Sequence, residues 1–357
     1  MELGFWKQLK KPFFALAPMA DVTDPAFRRI IAKYGKPDVT WTEFVSADGL
    51  MLGGRDALIK DLAYTEAERP IVAQLFGSNP LTMHDAAKLC AELGFDGIDI
   101  NMGCPDKSIE KQGAGAAMIK TPERAVAVIR AAKAGIADAG KNIPLSVKTR
   151  IGYSKNEIAT WIPLLLAEDI AALTLHCRTR KELSLVPARW EHVREVVALR
   201  DAMGKETRII GNGDVRDLSD GYEKARASGA DGVMIGRAVF GNPWLFAQST
   251  KSHTSTFLIK IKDLYFLFLQ KLGFKNRYWL RTKTTLTKEE RLRVLVEHSL
   301  LFEKLLGEVK SFAVMKKHFK AYVHGWPGAK ELRMELMLTQ SASEVEKIVT
   351  NYLTHGV

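Results

Sequence analysis

Gly97-Ile98-Asp99-Ile100-Asn101-Met102-Gly103-Cys104-Pro105 sets a short apolar run against a turn. Its first four residues read as a buried strand, and Gly103 and Pro105 favour a sharp bend. A glycine-rich stretch, Gly113-Ala114-Gly115-Ala116-Ala117-Met118, then leads towards a helix. The thiol of Cys104 therefore falls just past a strand's carboxyl end, where α/β enzymes place reactive groups. A cysteine used only for packing sits more often inside an element, between apolar neighbours.

The same strand-then-turn pattern recurs on both sides of this stretch. β-rich runs fall at residues 13–17, 39–42, 71–76, 97–100, 145–148, 172–176, 208–211 and 232–235. Helix-like segments lie between them, at 81–93, 122–137, 158–168, 189–203 and 218–228. Eight strands alternating with helices predict an α/β fold, a (β/α)8 TIM barrel over residues 1–246. A doubly wound open sheet is the rival, but Pro18-Met19-Ala20-Asp21 after the first strand is not its glycine fingerprint. From residue 288 to 357 apolar residues recur at helical spacing, in 289–306, 309–323, 329–338 and 342–353, which predicts a C-terminal helical domain. Thr287-Lys288-Glu289-Glu290 has the form of its first cap. Residues 247–287, mixing aromatics with Lys and Arg, read as an atypical linker or insertion.

Composition narrows the function. The chain of 357 residues is 46% hydrophobic and 26% charged, ordinary for a soluble globular protein. Its three cysteines show no metal or redox spacing, and the odd number argues against a disulfide framework. The histidines show no ligand spacing, so no metal is expected. Phe13-Phe14-Ala15-Leu16-Ala17 follows lysines but runs into Pro18 and Asp21, and so reads as a first strand rather than a signal peptide. No uninterrupted apolar run reaches membrane-spanning length, and a reducing, cytoplasmic setting with no membrane is expected. The net charge of +11 is uneven: residues 251–357 carry 19 Lys+Arg against 10 Asp+Glu. Such a tail suits nucleic acid, and it equally suits a solvated lysine-rich helical surface.

In the barrel reading, unusual polar residues stand at every strand end. Pro18, Met19 and Ala20 follow the first strand, Glu43 the second, and Gln74 is near the end of the third. Asn101 and Cys104 follow the fourth, Lys148 and Arg150 end the fifth, and His176 and Arg178 the sixth. Asn212, Gly213 and Asp214 follow the seventh, and Gly236 and Arg237 the eighth. Any one of these has a structural explanation; their convergence on one barrel face does not. The glycine-containing turns after strands seven and eight suit a phosphate, and Arg237 adds a bidentate donor. Lys148 and His176 then face the ligand body. A fixed positive charge suits a ring that becomes anionic on reduction, as a flavin does, and Gln74 offers donor and acceptor to an imide-like edge. Gly232 and Gly241 fit close packing equally well and are left unassigned.

Together, Leu16-Ala17-Pro18-Met19-Ala20, Asp99-Ile100-Asn101-Met102-Gly103-Cys104-Pro105, Val147-Lys148-Thr149-Arg150, His176-Cys177-Arg178-Thr179-Arg180, Gly211-Asn212-Gly213-Asp214 and Gly236-Arg237-Ala238 resemble the tRNA-dihydrouridine synthases. The resemblance is nearest the bacterial B-type branch. It resumes at Met315-Lys316-Lys317-His318-Phe319 and Gly325-Trp326-Pro327-Gly328-Ala329. It implies an FMN-bearing barrel, a helical tRNA-binding domain and NADPH as reductant. FMN contacts are then expected at Pro18, Met19, Ala20, Gln74, Lys148, His176, Asn212, Gly213, Asp214, Gly236 and Arg237. Cys104 becomes the proton donor.

That role fits the chemistry. Reducing the uracil 5,6 double bond needs a hydride at C6 and a proton at C5. A thiol with a pKa of about 8.5 is mostly protonated near neutrality and can supply that proton. A nucleophilic role needs a lowered pKa and a neighbouring base instead. Asn101 is expected to hold the uracil, and Arg178 the uridine or its phosphate. The target base must be turned out of the folded RNA, in the D-loop by this resemblance. Lys316, Lys317, His318, Lys320 and Arg333 are the expected contacts to the RNA. Two rivals remain at this point: an FMN barrel acting on a small molecule, like dihydroorotate dehydrogenase, and a non-catalytic tRNA-binding folding factor.

Overall fold

The computed structural model describes residues 2–247 and 287–355. The segment read as a linker, but for Ala247 and Thr287, lies outside the described residues.

Eight parallel strands form one sheet: β1 (Phe13–Leu16), β2 (Thr40–Ser46), β3 (Ile71–Phe76), β4 (Gly97–Met102), β5 (Leu145–Arg150), β6 (Ala172–His176), β7 (Arg208–Asn212) and β8 (Gly232–Ile235). Their order is β1-β8-β7-β6-β5-β4-β3-β2. The sheet curls until its edge strands meet, through a parallel bridge between Ala15 and Val39. The strands are almost wholly buried, as expected of parallel strands covered on both faces. The barrel reading therefore holds. Strands four and five run two residues longer than the apolar runs imply, so Asn101 and Arg150 lie inside strands and are held by ladder hydrogen bonds.

Short polar caps start the surrounding helices. Asp24 accepts from the Phe27 N–H at 2.9 Å, with Pro25 in the first turn of the helix Pro25–Tyr34. Asp217 starts Leu218–Ser228, which ends at Gly229 in the left-handed region (φ 74°). Caps of this kind contribute about 1 kcal/mol each.

The C-terminal region begins at Lys288–Leu306, opened by a reciprocal capping box between Thr287 and Glu290. The expected helix over 309–323 is two pieces, a 3₁₀ turn at Phe312–Met315 and the helix Lys316–Tyr322. Ser311 causes the break, because its hydroxyl accepts from the Ala313 N–H and starts a new turn. Ala329–Leu336 and Ala342–His355 complete the region.

This helical region packs against the barrel. Its core takes in Ala26 and Ile30 of the helix Pro25–Tyr34. Gly241, in the turn after β8, has φ 66°, and a Cβ there would lie 1.9 Å from the Ala321 carbonyl oxygen. That glycine, left unassigned from sequence, permits backbone-to-backbone contact. Ion pairs frame the junction: Lys33–Glu297 at 2.6 Å, Lys60–Glu308 at 2.9 Å, and Lys310 at 2.8 Å from both Glu43 and Asp61.

Candidate active site

Because every strand runs the same way, all eight carboxyl ends open on one rim. A cavity of about 800 Å³ lies there. Its walls include Pro18, Met19, Asn101, Cys104, Lys148, His176, Arg178, Asn212, Gly213, Asp214, Gly236 and Arg237. Strand register explains the grouping. Asn101 lies opposite Lys148, Arg150 opposite His176, and His176 opposite Asn212.

Cys104 sits half-buried in the wall on a turn that the Asn101 side chain holds. The Asn101 Oδ1 accepts from the backbone N–H of Gly103 at 3.0 Å and of Cys104 at 2.9 Å. Arg150 donates to the Gly103 carbonyl at 2.7 Å. Arg180 clamps the far side by pairing with Glu110, at 2.8 Å for one of its two bonds. Burial raises the Cys104 thiol above its ordinary value, against smaller opposing effects that include the charges of Lys148 and Arg150. The thiol is therefore protonated at neutral pH. Cys90 and Cys177 are fully buried, with thiols pushed up to about 12.

Lys148 faces the cavity, and its ammonium has no hydrogen-bond partner among the described residues. Burial, then the neighbouring Arg150 charge, lowers it to about 8. His176 is neutral at pH 7, because burial and the charges of Arg150, Lys148, Arg178 and Arg237 hold it well below its usual range.

The turns after β7 and β8 form the opposite wall. Asp214 is their hub: its carboxylate accepts from both Arg178 and Arg237, and from the Ala188 N–H at 2.9 Å. Gly213 has φ 126°, and a Cβ there would meet the Ala188 methyl at 2.8 Å. The backbone N–H groups of Gly213, Asp214, Gly236 and Arg237 take part in none of the turn and loop hydrogen bonds among the described residues. Free donors beside two guanidinium groups make a cradle that suits a phosphate.

A family model described as "Dihydrouridine synthase (Dus)" matches residues 15–355. The chain belongs to the dihydrouridine synthase family. It is 37% identical over 354 residues to "Probable tRNA-dihydrouridine synthase 2" of Bacillus subtilis, covering 99% of this chain and 97% of that one. It is also 37% identical to "Probable tRNA-dihydrouridine synthase" of Staphylococcus aureus, covering 99% and 96%. Solved structures at low identity share the fold alone. A 2-naphthoyl-CoA reductase complex matches with TM-score 0.51 at 13% identity, over 71% of this chain and 51% of that one. Histamine dehydrogenase from Rhizobium matches with TM-score 0.50 at 14% identity, over 68% and 46%.

Not every residue expected from sequence lines the cavity of this dihydrouridine synthase family member. Ala20 is exposed outside it. Gln74 is buried beneath it, with its amide engaged by Asp99 at 2.6 Å and Asn101 at 3.0 Å. Arg178 does line the cavity, but it is 2% exposed and spends its guanidinium on Asp214 and the Val186 carbonyl.

The helical region brings a correction. His318 is fully buried, its ring 5.3 Å from that of Phe27 and 4.6 Å from that of His298. It belongs to the junction between barrel and helices and has no surface to offer RNA. Arg333 is half-buried and donates to the Val323 carbonyl at 2.7 Å. Lys317 and Lys320 are exposed and Lys316 is half-buried. Lys317 lies 4.0 Å from Asp21 in the loop after β1, which places this helix beside the rim of the cavity.

Sequence reasoning named Arg150 at a strand end but gave it no role. Its signal was the i, i+2 spacing from Lys148, which puts both side chains on one face of a strand. Phe44, Ser184 and Arg216 also line the cavity, and no local pattern marks them. Among the described residues no group of three or more His, Cys, Asp or Glu could hold a metal ion, and no helix is long and apolar enough to cross a membrane.

Proposed function

We propose that this protein reduces uridine to 5,6-dihydrouridine in the D-loop of tRNA in the cytoplasm, with FMN as cofactor and NADPH as reductant. Residues 1–246 carry the chemistry and residues 288–357 bind tRNA. The observation that carries the reading is Cys104: a thiol kept protonated in the wall of a cavity that also presents an unpaired ammonium and an anion cradle.

The residues fit FMN. The turns at Gly213 and Gly236 offer free N–H groups for its phosphate, and Asp214 fixes Arg178 and Arg237 beside them. Lys148 and neutral His176 would lie against its ring system. When bound, FMN supplies hydride chemistry to C6 of the uracil. Cys104 supplies the proton at C5. Asn101 fixes the turn from which the thiol acts, and Lys148 provides a standing positive charge for an electron-rich partner. Lys316, Lys317 and Lys320 flank the rim and meet RNA phosphates.

The test is direct. Purified protein should carry bound flavin, seen as yellow absorbance. It should form dihydrouridine in an unmodified tRNA transcript supplied with NADPH, with mass spectrometry locating the product in the D-loop. Flavin with no dihydrouridine formed, and no tRNA binding at low salt, would overturn the reading.

A further inference from the structure

Beneath the Cys104 turn, inside the barrel, lies a chain of polar side chains of which the chemistry above uses only Asn101. Ser146 Oγ donates to Asp99 Oδ1 at 2.5 Å. Gln74 Nε2 donates to Asp99 Oδ2 at 2.6 Å, and Asn101 Nδ2 donates to Gln74 Oε1 at 3.0 Å. Asn101 Oδ1 then accepts the two backbone N–H groups of the turn. Asp99, Gln74 and the Asn101 amide are all buried.

The direction of this chain is not free. A carboxylate only accepts hydrogen bonds. It therefore forces Gln74 to present its NH₂ to Asp99 and its oxygen to Asn101. That matches the far end, where the N–H groups of Gly103 and Cys104 can only donate and hold the Asn101 oxygen towards the turn. Gln74 alone could sit either way round. The buried charge of Asp99 anchors the Gln74 end, so that Gln74 and Asn101 are braced between a fixed acceptor and two fixed donors.

We propose that Asp99 is the positioning residue of the active site: acting through Gln74 and Asn101, it fixes the backbone turn that carries Cys104. The role rests on Cys104 being the acid, but the positioning can be read without turnover. Asp99 is also the closest thing Lys148 has to a counter-charge, since it is the leading attractive group acting on that ammonium.

The test is a mutant cycle of isosteric changes. In Asp99→Asn the chain keeps only the direction that the turn's N–H groups impose, and Gln74 loses the charged acceptor that anchors it. In Asp99→Asn/Gln74→Glu a carboxylate again anchors the chain. The amide at 99 accepts from Ser146 and donates to the new carboxylate at 74, which accepts from Asn101. One negative charge also remains beside Lys148. The readout is the rate and pH profile of Cys104 alkylation by iodoacetamide in the purified holoprotein, followed by peptide mass spectrometry. Cys90 and Cys177 are buried and serve as internal controls.

Asp99→Asn should loosen the turn and lower the thiol pKa, raising the alkylation rate at pH 7 on the order of tenfold for each unit. The double variant should return to within about threefold of the wild type. Turnover per bound flavin should follow, with kcat changing and KM for tRNA held within about threefold. An unchanged alkylation profile in Asp99→Asn would overturn the proposal, as would a double variant no closer to wild type than the single. If Asp99→Asn is not recovered folded, the double variant decides alone: wild-type-like reactivity supports the relay and any larger departure overturns it. Absence of tRNA turnover in the wild type would count against the uridine reading and leave the alkylation result standing.

Discussion

Replacing Cys104 with alanine isolates the proposed proton-donor step. The only hydrogen-bonding group that acts on the thiol among the described residues is the Asp106 backbone N–H, and the turn beneath it is held through backbone N–H groups that alanine keeps. The fold, the cavity and the anion cradle should therefore survive. Loss of a general acid typically costs on the order of 10²–10⁴ in rate, or about 2.7–5.5 kcal/mol of barrier. Cys104→Ser should be nearly as slow, since the hydroxyl has similar size but is a far weaker acid. The pH profile gives an independent sign. Burial raises the thiol's pKa, so the donor stays protonated across neutral pH and the wild-type rate should be level there. The rate should fall only as pH climbs through the raised value. The assay is single-turnover formation of dihydrouridine in an unmodified tRNA transcript, normalised to bound flavin. An alanine variant within about tenfold of the wild type would refute the assignment. A serine variant at full rate would show that size and polarity, not acidity, are what the site requires.

Three further outcomes follow from the geometry. Lys148→Met should weaken flavin retention, measured by flavin fluorescence on dilution; in the wild type, retention should also weaken as pH rises through about 8, where the ammonium loses its proton. Gly213→Ala should destabilise the protein by about 2–4 kcal/mol in thermal melts, because φ 126° and the 2.8 Å approach to Ala188 both oppose a Cβ, and it should shed flavin. His318→Lys should lower the melting temperature sharply by burying an unpaired charge at the junction, whereas Lys317→Ala and Lys320→Ala should leave melting unchanged and weaken tRNA binding in a salt-dependent way.

The barrel was legible because parallel strands buried on both faces write themselves as unbroken apolar runs, and each run here ends in a polar outlier. Eight such ends leave little freedom in where the site lies. The roles of those outliers were less legible. Gln74 and Asn101 read as ligand contacts because their chemistry suits a uracil or an imide, yet in the fold each spends hydrogen bonds on its neighbours. Asp99 was hidden for the opposite reason: a charge within an apolar run carries no local sign of what it faces across the barrel. Such pairings depend on register between strands 25 or more residues apart, 74 with 99 and 101 with 148, and nothing in a local window encodes them.

The helical region shows the same limit in another form. The basic excess of the tail reads as a single property of residues 251–357, but residues 288–357 alone hold 11 Lys+Arg against 9 Asp+Glu, nearly neutral. Part of even that charge is used internally, since Lys310 pairs with Glu43 and Asp61 across the junction. Within Met315-Lys316-Lys317-His318-Phe319 the helical period could have separated the roles. Residues 315, 318, 319 and 322 fall on one face and 317 and 320 on the other. Met315, His318, Phe319 and Tyr322 are all buried, while Lys317 and Lys320 are exposed. One motif thus carries two functions on two faces, docking inward and positive charge outward. Altering it as a block would mix a folding defect with a binding defect, and only changes confined to one face can tell them apart.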